Sequence, residues 1–272
     1  MENYNRVVVE EMENFKVIEC QKDTSVAPEN ATREYFMGQM HVRRRQIVIE
    51  LDDDHSAILQ SGAMQWIVGD VEATTGIKGV GDFFGKKLKG SLTNETTIKP
   101  EYKGNGVIVL EPTYKYIILQ DIGDWSKDGG MVMEDGMFLA CDGDIENKVA
   151  MRKNLSSAAL GNEGLFNLYL KGDGVAALES NVPQDELIEV YLEDDVLKLD
   201  GNFAICWSKS LNFTVERSSK SLAGSAMNGE GLLNVYRGTG RVLLSPVALT
   251  DCLYHATHNG PAGPGAPRHE GR

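Results

Sequence analysis

The chain has 272 residues, 42% hydrophobic and 25% charged, a balance that supports a sizeable core and excludes wholesale disorder. A net charge of −13 and a pI near 4.9 argue against nucleic acid, where affinity rests on Lys and Arg neutralising phosphates, and against anionic membrane surfaces. No run approaches the roughly 20 apolar residues of a membrane span.

The start, Met1 to Arg6, lacks the basic and then apolar stretch of a secretory signal. Residues 1–39 read as an N-terminal extension: two short apolar runs, Arg6 to Glu10 and Phe15 to Glu19, suit one or two strands, and Gln21 to Arg33 is polar and loop-like. Strand character then strengthens. Gln46 to Leu51 is rich in β-branched residues and stops at Asp52-Asp53-Asp54-His55, a charged hairpin turn. Ala57 to Gln60 resumes, followed by Ser61-Gly62-Ala63-Met64.

That succession returns. Tyr116 to Gln120 precedes Met131 to Cys141, and Leu187 to Leu192 precedes Val196 to Cys206; Asp135-Gly136 and Asp200-Gly201 stand 65 residues apart, as do Cys141 and Cys206. A second signature also recurs: Glu163-Gly164 leads to Lys171-Gly172-Asp173-Gly174, and Glu230-Gly231 to Arg237-Gly238-Thr239-Gly240. In weaker form Glu95-Thr96 leads to Lys103-Gly104-Asn105-Gly106. Such a period marks internal duplication. Three tandem modules fit, at residues 40–114, 115–186 and 187–248. Each Gly-x-Gly, ahead of an apolar run, reads as a tight hairpin, because glycine accepts positive φ; the Lys or Arg beside it reads as a solvated flank. Ser/Ala/Lys-rich patches before each Glu read as short helical turns, with Leu92, Leu160 and Met227 as core plugs. Residues 249–272 are a flexible Gly/Pro-rich tail.

Few residues offer chemistry. Gly79-Val80-Gly81 fails the dinucleotide spacing, since the third glycine falls on Phe84. Lys86, Lys87 and Lys89 suit a solvated loop face better than an anion site. Asp52 to His55 suits a turn better than a cation site, and Cys252, His255 and His258 sit beside the tail. No nucleophile elbow occurs. The four cysteines (Cys20, Cys141, Cys206, Cys252) form no Cys-x-x-Cys pair, which points to a reduced, cytoplasmic setting. The candidate binding ring is Glu95, Glu163 and Glu230. Around a pseudo-threefold axis these carboxylates would meet, raising one another's pKa or recruiting a cation; the plainer reading is that each accepts backbone hydrogen bonds at its own turn.

These motifs, from about Gln46 to Val247, resemble the altered inheritance of mitochondria protein 24 family. The resemblance is carried by Gly62-Ala63-Met64, Gly106 to Pro112, Asp135 to Cys141, Leu160 to Phe166 and Gly229 to Leu232. It implies three β-sandwich modules similar to the tryptophan RNA-binding attenuator superfamily (TRAP-like), arranged as an internal pseudo-trimer. It transfers no catalytic residue. The first module departs from the pattern at Thr96. The expectation is therefore an all-β, non-enzymatic scaffold or protein-interaction module with no catalytic residue, metal or cofactor. It would self-associate or dock on a protein partner, and would bind no nucleic acid. The alternative is a small-ligand or metal-binding protein that uses crevices between modules.

Overall fold

A computed structural model describes residues 5–74, 99–151, 166–218 and 232–247. Two antiparallel sheets dominate them. The first holds nine strands: β1 (Arg6–Met12), β2 (Phe15–Cys20), β3 (Arg45–Leu51), β4 (Ala57–Leu59), β5 (Met64–Thr74), β6 (Glu101–Leu110), β7 (Tyr116–Asp121), β9 (Phe138–Asp142) and β12 (Val175–Ser180). The second holds seven: β8 (Met131–Met133), β10 (Glu146–Met151), β11 (Phe166–Lys171), β13 (Ile188–Asp200), β14 (Ala204–Ser208), β15 (Asn212–Arg217) and β16 (Leu232–Leu244). Two short helices, α1 (Ala31–Gln39) and α2 (Ile122–Ser126), interrupt them.

Pairing is organised around three long lines of strand. β6 carries β5 along one edge; on the other edge β3 pairs with its second half and β4 with its first. β12 lies between β7 and β9, and β11 between β8 and β10. β16 carries β13 along one edge, with β14 and β15 on the other. Two short joints of three residue pairs link these groups. Ile58 in β4 faces Cys141 in β9, and Met133 in β8 faces Cys206 in β14.

The first sheet curls into a nearly closed barrel, with β1 and β7 at its two ends. The Leu119 N–H donates to Glu10 Oε1 across the seam, 3.4 Å away. Arg45 ties the same region. Its guanidinium pairs with Glu19 at 2.6 Å and lies 4.2 Å over the Tyr116 ring, and its backbone exchanges hydrogen bonds with Thr113. Period-two alternation sends Phe15, Ile47, Ile49, Leu59, Ile108, Leu119 and Ala177 inside the barrel. The outward residues of β9 and β12, Phe138, Cys141, Ala176 and Leu178, meet Met131, Met133, Leu170, Ile205 and Cys206 of the second sheet. A third cluster lies on that sheet's far face, where Trp207, Phe213 and Tyr236 pack with centroids 5.0 to 5.5 Å apart. Chain segments 138–142 and 175–180 therefore bury both faces, which explains their nearly unbroken apolar character.

Four sequence expectations need correction. The Gly-x-Gly motifs are not hairpins. Gly104 and Gly106 lie inside β6, Gly238 and Gly240 inside β16, and Gly172 to Gly174 at the step between β11 and β12. Glycine is needed there for close approach: Gly104 has φ +119°, and a Cβ on it would overlap the Asp70 carbonyl oxygen of the neighbouring strand. Asp52 to His55 is a turn but not a hairpin, because β3 and β4 lie in line on one edge of β6 rather than beside each other. The stretch read as loop from Gln21 to Arg33 runs into α1, whose residues are all at least partly exposed; its weak apolar pattern hid it. Arg237 is also more than a solvated flank: it grips Glu216 through both carboxylate oxygens, which holds that carboxyl down at about 2.

Two substitutions test this packing. Ile205→Ala, in the layer between the sheets, should cost about 2–5 kcal/mol in urea unfolding. Gly104→Ala should cost about 2 kcal/mol or more from strain alone, whereas the same change at half-buried Gly38 in α1, with nothing within 4 Å, should be neutral or stabilising.

Candidate functional site

Four turns meet at one end of the barrel and enclose a cleft of about 470 Å³. The β1–β2 turn contributes Glu13, whose φ is +50°. The β3–β4 turn contributes Asp54, His55 and Ser56; the end of β9 contributes Asp142, Gly143 and Asp144; and the step from β11 to β12 contributes Asp173 and Gly174. Each turn is fixed locally. Asp52 Oδ1 accepts from the N–H groups of Asp54 and His55 and lies 2.7 Å from His55 Nδ1, an Asx-type cap. This bond raises the pKa of His55 and lowers that of Asp52. The Gly143 N–H donates to the Ser56 carbonyl at 2.8 Å. Ser56 Oγ donates to Glu101 at 3.3 Å, so it has a carboxylate and not a histidine as its partner.

Asp142 is the buried member, 8% exposed. Its Oδ2 accepts from the Val175 N–H at 2.6 Å, while Oδ1 has no hydrogen-bond partner of acceptable geometry. Gly174 makes this possible, because a Cβ there would sit 2.6 Å from Oδ2. Burial pushes the Asp142 carboxyl up to about 6 against the pull of the Val175 N–H, and the nearby Glu13 carboxylate adds to the rise. Five carboxylates against one imidazole make the cleft attractive to a cation. Among the described residues no three His, Cys, Asp or Glu side chains are placed to hold a metal ion. The arrangement suits a spread-out organic cation such as an ammonium or guanidinium group better than a metal. It lacks an activated nucleophile.

Sequence reasoning did not find this cleft. Its members run from Glu13 to Gly174, 161 positions apart, and only turn signals mark them: Asp52 to His55, read as a turn rather than a cation site, Asp142-Gly143 and Gly172-Asp173-Gly174. Glu95, Glu163 and Glu230 all lie outside the described residues, as do Lys86, Lys87, Lys89, Leu92, Leu160, Met227 and the group Cys252, His255 and His258. Cys141 and Cys206 do take matching places, each buried beside a joint between strand groups, and burial pushes both thiols up.

The second conspicuous feature is a set of open strand edges. Among the described residues β5 pairs only with β6 and β13 only with β16, and β10 and β15 likewise have one partner each. Of the eleven exposed large hydrophobic residues described, five are on β5 and β13: Met64, Val68, Ile188, Tyr191 and Val196. No helix among the described residues is long and apolar enough to cross a membrane.

The fold and these features define an all-β protein with open sheet edges and an acidic cleft, and comparison with known proteins places it more closely. Residues 39–247 match the family model described as Mitochondrial biogenesis AIM24, and the chain belongs to that family. An uncharacterized protein of Streptococcus pyogenes is 26% identical over 212 residues, which cover 74% of this chain and 82% of that one. A crystal structure of a Streptococcus pyogenes protein superimposes with a TM-score of 0.56 at 23% identity, covering 79% of this chain and 94% of that one. The likeness to the crystal structure establishes fold alone.

Asp142 gives a pH test. Its folded pKa is raised, so the native state holds the proton more tightly than the unfolded chain. Stability is lost as pH rises from about 4 through 6. Asp142→Asn keeps an acceptor for the Val175 N–H and removes that loss. The variant should match the parent below pH 4 and exceed it by about 1–3 kcal/mol at pH 7, read from urea unfolding at both pH values.

Proposed function

We propose that the protein is a non-enzymatic scaffold or interaction module made of three copies of one β-unit, at residues 40–114, 115–186 and 187–248. The units stand in the pseudo-threefold manner of TRAP-like sandwiches. The observation that carries this reading is the recurring pairing scheme. In each third a first strand line (β3 with β4, β7 with β8, or β13) flanks one edge of the Gly-x-Gly line. A second strand line (β5, β9 with β10, or β14 with β15) flanks the other. The first line reaches the second through a positive-φ glycine each time: Gly62, Gly136 and Gly201. Repetition of a pairing rule favours building over chemistry, and exposed apolar residues on open edges favour contact with another polypeptide. A cytoplasmic setting belongs to the same reading, supported by Cys20, Cys141 and Cys206 being free thiols.

The acidic cleft favours a second reading, a binder of small organic cations. A native mass spectrum of the purified protein separates the two. The scaffold reading expects no stoichiometric small molecule or metal. A one-to-one adduct lost on Asp142→Asn or Asp173→Asn would favour the binder instead.

A further inference from the structure

β1 is the least anchored wall of the barrel. None of its residues is buried, whereas its ladder partner β2 sets Phe15, Val17 and Ile18 in the interior. Among the described residues it forms no ladder with β7 across the seam, where the Leu119 N–H donates to Glu10 Oε1 at 3.4 Å. A bulge at Val9 shifts the register just before Glu10, and a bulge re-aims the side chains beside it. Three residues on, the β1–β2 turn sets Glu13 in the acidic cleft with Asp142. One hairpin thus brings a carboxyl to the seam and another to the cleft. We infer that β1 and its turn form a pH-dependent strap, which closes the barrel seam in acid and swings away from β7 as pH rises to neutrality, still paired to β2. Such a strap is independent of whether the protein acts as a scaffold.

Both ends of the strap release in the same direction. Closure buries Glu10, which raises its pKa against the pull of the Leu119 N–H. The charged side chains on the flanking strands are engaged elsewhere: Lys16 with Glu11 and Glu50, Glu19 with Arg45, and Lys115 with Glu179. Among the described residues no counter-ion holds Glu10 in its ionised form. At the cleft, Asp142 faces Glu13 of the strap, Asp54 and His55 of the β3–β4 turn, Asp144 beyond β9, and Asp173 at the step into β12. Burial, with the Glu13 carboxylate adding to it, pushes Asp142 up to about 6. His55 pulls it down, and its own charge is lost as pH rises further. A carboxyl whose pKa is raised in the closed state favours closure while it is protonated, and that contribution is lost as pH rises through the raised value. Between pH 4 and 7 Asp142 changes from a neutral acid to a carboxylate that repels Glu13. A swing of the turn separates the two charges and returns both to water.

Native-state amide exchange at Leu119 reads the seam directly. Its protection factor, which already corrects for the intrinsic effect of pH on exchange, should fall from pH 4.5 to pH 7 by on the order of 100-fold. That is the factor supplied by an Asp142 pKa of about 6 against an ordinary aspartate. At pH 7 Leu119 should be at least about tenfold less protected than amides in the middle of β16, and less sensitive to low urea, the mark of a local opening. Glu10→Gln combined with Asp142→Asn keeps an acceptor for each N–H and removes both titrations, so its Leu119 protection should be equal at the two pH values. Where circular dichroism shows that this pair unfolds the chain, Glu13→Gln on the exposed turn carries the test, and the fall should shrink. The proposal is overturned if Leu119 protection in the parent is the same at pH 4.5 and 7. It is equally overturned if Leu119 matches β16 in protection and urea dependence, or if the full fall survives in the variants.

Discussion

An unpaired peptide group removed from water costs free energy of the order of a lost hydrogen bond, and in an antiparallel protein that cost falls on strand edges. The whole architecture follows from how this chain saturates its edges. The Gly-x-Gly lines β6, β11–β12 and β16 are paired on both sides. The strands beside them have one side left over, and the chain uses that side twice to bond unit to unit, at β4–β9 and β8–β14. At the start of the chain β1 and β2 cover the outer edge of β3 and bring β1 to the seam beside β7. Among the described residues the edges left with one partner include those of β5, β10, β13 and β15.

Edge saturation also sets the layering. Because β9 and β12 are held in the barrel wall, their outward side chains must be covered by something else, and β8 and β14 provide it with Met131, Met133, Ile205 and Cys206. The first joint thus positions the middle layer, and the second joint positions the aromatic cluster beyond it. Arg45 has a similar linking role at the barrel seam. It is 6% exposed and draws on Glu19 of β2 and Tyr116 of β7 at once. Losing such a buried partner leaves a charge stranded in the wall.

Much of this was legible in the sequence, because the relevant signals are local. The β-branched run Gln46–Leu51 marked a strand, and the 65-residue spacing shared by Asp135-Gly136 with Asp200-Gly201 and by Cys141 with Cys206 marked matching places. Function-bearing geometry was less legible. The Gly-x-Gly motif looks like a turn because glycine serves two needs, positive φ and close backbone approach, and sequence alone does not separate them; at Gly104 both apply. The cleft around Asp142 is built from four turns distant in sequence, so no window contains it. Open edges are invisible for a different reason: β5 and β6 read alike as strands, and only pairing tells which has a neighbour on both sides.

The most direct measurement of the central claim is amide hydrogen exchange across β5, β13 and β16 in dilute and concentrated protein. Amides in the middle of β16, paired on both edges, should exchange slowly at every concentration. Outward-facing amides along β5 and β13, which have a partner on one edge only among the described residues, should exchange quickly. Protection of those amides equal to that in the middle of β16 would contradict it.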